Sequence, residues 1–283
     1  MKNNKAIFYM IFSVAAFAVM NAVAKYLTNF NVYQIVFFRS IGTLAITIPL
    51  VLKSKTPFLG TKRKLLIIRA IVGVISLTCF FASLNYLAVG TAVSLRYTSP
   101  IFAAILAFLI LKEKIKFARW FFFVLAFIGV LLIKGFGVEV SSLGLLLIFI
   151  SAFFHGLVFI LIRKIGDKEH PLIIINYFMI LAFIFGGIMS INVWRNPNLT
   201  EWLLLCSLGV FGYIGQLYMT KAFQSDETSV VAPLQYLEIV FTILIGASWF
   251  GEIYNFYTLL GVFLILTGLF YNIYIKNKRK KTS

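Results

Sequence analysis

The ionisable side chains that fall inside long apolar runs of this chain include Lys25, Arg39, Arg96, Glu238 and His155. An ionisable group in hydrocarbon costs about 2.5–3.5 kcal/mol on insertion scales, so each needs a reason. Glu238 is the carboxylate deepest in such a run, about 13 Å from its end at 1.5 Å per helical residue. Arg39 and Arg96 lie about 10 Å and 7 Å from the ends of theirs. A guanidinium clamps a carboxylate or phosphate through two parallel hydrogen bonds, a geometry that Lys cannot copy. Arg96, followed by Tyr97, Thr98 and Ser99 among small residues, reads as facing a cavity. Lys25, near the end of its run, reads as snorkelling to the interface, and Arg39 fits either role. Glu238 either pairs with Arg96 and fixes helix register, or binds a solute amine or takes up a coupling proton. His155, between Phe154 and Gly156, is either a packing residue or a proton carrier, since imidazole ordinarily titrates near neutrality. Gln216, Gln235, Tyr236, Asn21, Asn85 and Asn176 add neutral hydrogen-bonding groups that bind solute or join helices.

None of this is a catalytic or metal constellation. Cys79 and Cys206 both sit in apolar runs, and no spaced Cys/His cluster accompanies His155 and His170. Neither a zinc site, a disulfide framework nor a cofactor is expected. The phosphate-cradling Gly-x-x-x-x-Gly-Lys-[Ser/Thr] loop is absent from the sequence, so ATP is not the expected energy source.

The elements that must position these groups follow from composition. Of 283 residues, 61% are hydrophobic and 12% charged, against about 45–50% and 25% in soluble domains. A globule of this size cannot hide so much apolar surface. The sequence therefore excludes a soluble enzyme, a nucleic-acid-binding domain and a disordered chain, and specifies an all-α integral membrane protein. No nucleic acid is needed to explain the net charge of +17. A bilayer core about 30 Å thick takes roughly 20 helical residues. Ten apolar runs meet that length: 7–27, 32–52, 67–88, 91–111, 117–135, 143–163, 172–192, 202–222, 229–249 and 255–275. Lys2 and Lys5 with Ala22-Val23-Ala24 resemble a signal peptide, but the run continues to Leu27 and is long enough to span. The basic residues set the orientation. With the N-terminus in the cytoplasm, inner segments hold Lys2 and Lys5, six residues from Lys53 to Arg69, four from Lys112 to Arg119, then Arg163, Lys164, Lys168 and Lys221, and five from Lys276 onward. The outer side holds Lys25, Lys134 and Arg195. Both termini are expected in the cytoplasm, with the positive face against anionic lipid headgroups.

The chain also matches itself. At an offset of 139, Leu95, Tyr97, Phe102, Glu113, Phe117, Leu125 and Gly129 meet Leu234, Tyr236, Phe241, Glu252, Phe256, Leu264 and Gly268. At 138, Ser13 meets Ser151 and Lys25 meets Arg163. Two units of five spans follow, 1–137 and 138–283, and an odd number of spans inverts the second. Spans 4 and 9 become symmetry mates, with Glu238 the counterpart of Ser99. Pro100 and Pro233 weaken these helices and are expected to act as hinges. Ala103, Ala107, Gly246 and Ala247 read as close-packing positions. Glu113 and Glu252, at span ends, read as helix-end or loop contacts.

Phe37-Phe38-Arg39, Tyr97 to Phe102 and Lys112-Glu113-Lys114 resemble the first half of EamA-type transporters of the drug/metabolite transporter superfamily. Ala232-Pro233-Leu234, Tyr236 to Phe241 and Gly251-Glu252 resemble the second half. The resemblance covers essentially the whole chain. It implies ten helices in two inverted five-helix repeats, a central cavity, and import or export of small metabolites. One departure stands out: where the first half has Pro100, the second has Ile239, preceded by Glu238.

These residues together are expected to make a secondary transporter that moves a small amphiphilic anionic or zwitterionic metabolite, an amino acid or derivative, across the cytoplasmic membrane by alternating access. The expected solute-binding set is Arg39, Arg96, Tyr97, Ser99, His155, Gln216, Gln235, Tyr236 and Glu238. The alternatives are an integral membrane enzyme acting on lipid, or a carrier for a neutral or cofactor-like solute. Nothing in the sequence specifies an oligomeric state.

Overall fold

A computed structural model describes residues 5–27, 29–54, 56–87, 89–113, 117–134, 141–251, 253 and 256–281. Among them are helices α1 (Lys5–Lys25), α2 (Val32–Lys53), α3 (Arg63–Ser83), α4 (Val89–Arg96), α5 (Ser99–Ile110) and α6 (Phe117–Lys134). The order continues with α7 (Ser142–Ile165), α8 (Pro171–Ser190), α9 (Leu199–Ser225), α10 (Thr228–Val231), α11 (Leu237–Phe250) and α12 (Phe256–Lys281). There is no strand among the described residues. Seven helical segments are long and apolar enough to cross a membrane, and three shorter apolar ones lie at Ser99–Ile110, Phe123–Leu132 and Phe256–Tyr271.

Two of the expected spans are not continuous α-helices. The run 91–111 departs from α-helix at Tyr97 and Thr98, between α4 and α5. Pro100 lies in the first turn of α5, where its missing N–H costs nothing and its fixed φ suits a helix start. The run 229–249 passes from α10 through a 3-10 turn, Ala232–Tyr236, that contains Pro233 before α11 begins. Glu252, read from sequence as a helix-end contact, lies outside the described residues.

The helices form two compact units, neither of which coincides with a half of the sequence repeat. The first comprises residues up to Val74 and Ile165–Ser225. Within it α1 packs along α9, and α2 along both α8 and α9. Small residues permit this closeness, as membrane helices lacking a hydrophobic drive between them require. A Cβ on Gly209 would stand 2.6 Å from Cα of Gly42, backbone against backbone. Buried hydroxyls then reach the neighbouring main chain. Ser13 Oγ donates to the carbonyl of Gly215 at 2.8 Å, and Thr43 Oγ1 to that of Gly209 at 3.1 Å.

At one end of this unit Glu169, only 4% exposed, ties two segments together. Its Oε1 accepts from the Thr61 amide at 2.6 Å, from the Thr61 hydroxyl at 2.7 Å and from the Lys62 amide. The carboxylate thereby caps the start of α3, where the amides have no partner within the helix. Gln224 Nε2 donates to the carbonyls of Glu169, at 2.9 Å, and Gly166. Elsewhere in the unit Gln34 exchanges two hydrogen bonds with the main chain of Arg195, whose side chain pairs with Glu201 at 2.8 Å.

The second unit comprises Ile75–Lys164 and the chain from Asp226. Here α6 runs along α12, where a Cβ on Gly129 would lie 2.5 Å from the carbonyl oxygen of Gly261. Ser76 and Ser151 lock α3 to α7 reciprocally, each hydroxyl donating to the other's carbonyl, at 2.9 Å and 2.7 Å. α5 packs on α10 and the 3-10 turn. Ala103 and Ala107 are fully buried, as close-packing positions should be. So is Gly246, whereas Ala247 is exposed. The Glu113 carboxylate accepts from the amides of Thr228 at 2.9 Å and Ser229 at 3.1 Å, capping the start of α10. That is the helix-end role its position suggested.

Candidate solute site

Seven of the nine expected site residues lie in the second unit. Arg96 ends α4, half-buried, and its Nη2 lies 3.3 Å from Nδ1 of His155 on α7. Arginine carries no acceptor, so this contact requires a bare Nδ1. His155 packs edge-on to Phe159, ring centroids 4.7 Å apart. The Arg96 guanidinium lies over the Phe80 ring, 4.5 Å from its centroid, a cation–π contact. Tyr97 and Tyr236, each at its break, have ring centroids 6.1 Å apart. Glu238, half-buried in the first turn of α11, lies near enough for its charge to act on both Arg96 and Tyr97.

The breaks explain how these side chains assemble. Thr98 makes no side-chain cap for α5; its hydroxyl turns back to the Leu95 carbonyl at 2.7 Å. Tyr236, preceding α11, makes none either. Neither start has a side-chain cap, but their amides are engaged on the main chain: Ile101 donates to the Thr98 carbonyl at 2.9 Å, and Leu237 to the carbonyls of Leu234 and Gln235. Tyr236 is fully buried, and its hydroxyl has no hydrogen-bond partner among the described residues. Ser99 and Gln235 are buried nearby in sequence, in α5 and the 3-10 turn. An orphaned phenol of this kind costs about 1–3 kcal/mol unless something completes it.

Two expected residues lie elsewhere. Arg39, on α2, and Gln216, on α9, belong to the first unit. There Gln216 meets Arg69, a residue read from sequence as part of the inner positive flank. That reading is corrected by the structure: Arg69 lies within α3 and is 1% exposed. Its proximity to the basic run Lys62 to Lys64 disguised it, whereas its place between Ile68 and Ala70, in an apolar run, was the available signal. Lys25, at the end of α1, is exposed. Among the described residues no group of three or more His, Cys, Asp or Glu could hold a metal ion.

The model of the EamA-like transporter family matches twice, over residues 4–135 and 142–274. The chain belongs to this family. The pseudopaline exporter CntI of Pseudomonas aeruginosa is 30% identical over 254 residues, covering 88% of this chain and 89% of that protein. An S-adenosylmethionine uptake transporter of Rickettsia bellii is 26% identical over 95% of this chain and 94% of its own. A riboflavin transporter of Vibrio cholerae is 27% identical over 86% and 84%. One solved structure shares the fold, with a TM-score of 0.84 over 93% of this chain and 95% of its own at 14% identity. The EamA-like chain is thus a multi-pass membrane transporter of small metabolites rather than an enzyme. Its relatives differ in named solute and in direction, so neither passes to it by similarity.

Proposed function

We propose that the chain is a secondary carrier for a small amphiphilic solute bearing a carboxylate or phosphate and a polar or amine end. The observation that carries this is the convergence of Arg96, His155, Tyr97, Tyr236 and Glu238 where two helices break. Arg96 suits the acidic group, and Glu238 suits an amine or a coupling proton. Discontinuous helices of this kind are how many carriers place backbone dipoles at a midplane site. The breaks fall at Tyr97 and Tyr236, which the offset of 139 pairs, and this favours ten spans in two inverted repeats, 1–137 and 138–283. Pro100 and Pro233 then ease the motion that exposes the site to alternate sides. Both termini lie in the cytoplasm, and the membrane is the cytoplasmic one.

A screen of metabolite flux in liposomes holding the purified chain tests this reading. Zwitterionic and acidic solutes should cross unchanged, and Arg96→Lys should abolish most of that flux while the protein still folds and inserts. Flux confined to neutral solutes, indifferent to Arg96→Lys, would replace it with a carrier for sugars or similar compounds.

A further inference from the structure

The first unit holds a second polar cluster that the reading above does not use. Arg69 emerges from α3 with its Nη2 3.5 Å from Oε1 of Gln216 on α9, a long hydrogen bond. Its guanidinium stands 4.3 Å from the ring centroid of Phe178 on α8. Its Nε and Nη1 find no hydrogen-bond partner among the described residues, though the side chain is almost wholly buried. Arg39 is close enough for its positive charge to act on Arg69. One turn from Gln216 on the same face of α9, Thr220 is fully buried with an unpartnered hydroxyl.

Charge makes this arrangement costly. The helices of this unit, α1, α2, the first half of α3, α8 and α9, contain one carboxylate, Glu201, which is committed to Arg195. A buried cation with no counter-charge is penalised by several kcal/mol, and a neighbouring cation adds to the cost. The Phe178 face and the Gln216 amide oxygen offer partial negative charge only. What the cluster lacks is a full negative charge with several acceptor oxygens.

We propose that Arg69, with Arg39 beside it and Gln216 and Thr220 at its edge, is an oxyanion site that takes the carboxylate or phosphate of the transported solute. This rests on the reading of the chain as a carrier for an acidic solute. The fork of guanidinium donors matches two oxygens of one acid group, and the unengaged Nε and Nη1 are the donors available to it. Arg69 is closed to solvent here, so the anion reaches it as α3, α8 and α9 part.

Thermal unfolding of the full chain in lipid-free detergent tests this with sodium acetate, sodium phosphate and sodium chloride as probes. Acetate or phosphate should raise Tm saturably in the wild type and in Lys25→Gln, which removes an exposed cation outside both clusters. Arg69→Gln should lose that saturable shift, and Arg69→Lys should need at least about tenfold more anion for half the effect. The acetate and phosphate arms tell a carboxylate site from a phosphate site. An equal shift in Arg69→Gln, no saturable shift in the wild type, or chloride matching both oxyanions would overturn the proposal. Should Arg69→Gln fail to fold, Arg69→Lys decides, an unchanged midpoint counting against it. Lys25→Gln controls for the loss of one positive charge. If acidic solutes are not carried at all while the Arg69-dependent shift persists, the function reading falls and the oxyanion site stands. If they are carried in an Arg96-dependent way with no such shift, the reverse holds.

Discussion

Arg96 Nη2 approaches Nδ1 of His155 at 3.3 Å, joining the end of α4 to the middle of α7. Because the guanidinium can only donate, protonating Nδ1 would turn an attraction into a repulsion between cations. His155→Gln keeps an acceptor that cannot protonate. It should therefore retain flux at neutral pH and lose any inhibition that acid imposes on the wild type. His155→Phe keeps bulk without an acceptor and should lose flux at every pH. Proteoliposome uptake measured across the range from about pH 5 to 8 checks both, and equal pH profiles in wild type and His155→Gln would remove His155 from the proton account.

Glu238 occupies the first turn of α11, where a carboxylate is favoured by the helix dipole, and its charge acts on Arg96 and Tyr97. Glu238→Gln is nearly isosteric and should fold. If the acid carries a proton, flux in the variant loses its dependence on an imposed pH gradient while exchange of solute for solute continues. If it binds a solute amine, both modes weaken together. Unchanged flux in both modes leaves the carboxylate with only a register role.

Sequence alone reached the all-helical membrane class, because a bilayer demands apolar length and nothing in the tertiary structure needs to be known. It also reached the helix-end contact of Glu113. What it missed was the interruption of helix at Tyr97 and in the turn Ala232–Tyr236. Apolar periodicity is unchanged across such breaks, since backbone groups are satisfied locally, as when Thr98 turns to Leu95. Arg69 was misread for a related reason: a basic residue six positions into α3 looks like interface until neighbouring helices are seen to enclose it.

Glu169 should make stability pH-dependent. Burial alone would raise its pKa, but the hydrogen bonds from Lys62 and Thr61 and the charge of Lys62 outweigh this and hold it below the usual carboxylate range. A depressed folded-state value means the stabilisation is complete above the unfolded-state pKa of about 4.3 and is lost as pH falls through the lower folded value. Glu169→Gln removes it at neutral pH, so its Tm should lie below that of the wild type there. The gap should close on acidification, and a gap constant from about pH 7 to 3 would show that the carboxylate's ionisation contributes nothing.

The contact between α2 and α9 gives the most local test of packing. A Cβ on Gly209 would lie 2.6 Å from Cα and 2.7 Å from C of Gly42, and main-chain atoms cannot swing aside as a side chain can. Gly209→Ala must therefore part the helices and strain the bond from Thr43 to the Gly209 carbonyl. Overpacking of this kind costs about 1–3 kcal/mol. Gly187→Ala is the matched control on α8. Its Cβ would meet only the Phe37 ring, at 3.4 Å, an ordinary contact. Thermal unfolding in detergent should show a clear fall in Tm for Gly209→Ala and almost none for Gly187→Ala. Equal effects would mean that α2 and α9 are not held at this separation in the membrane.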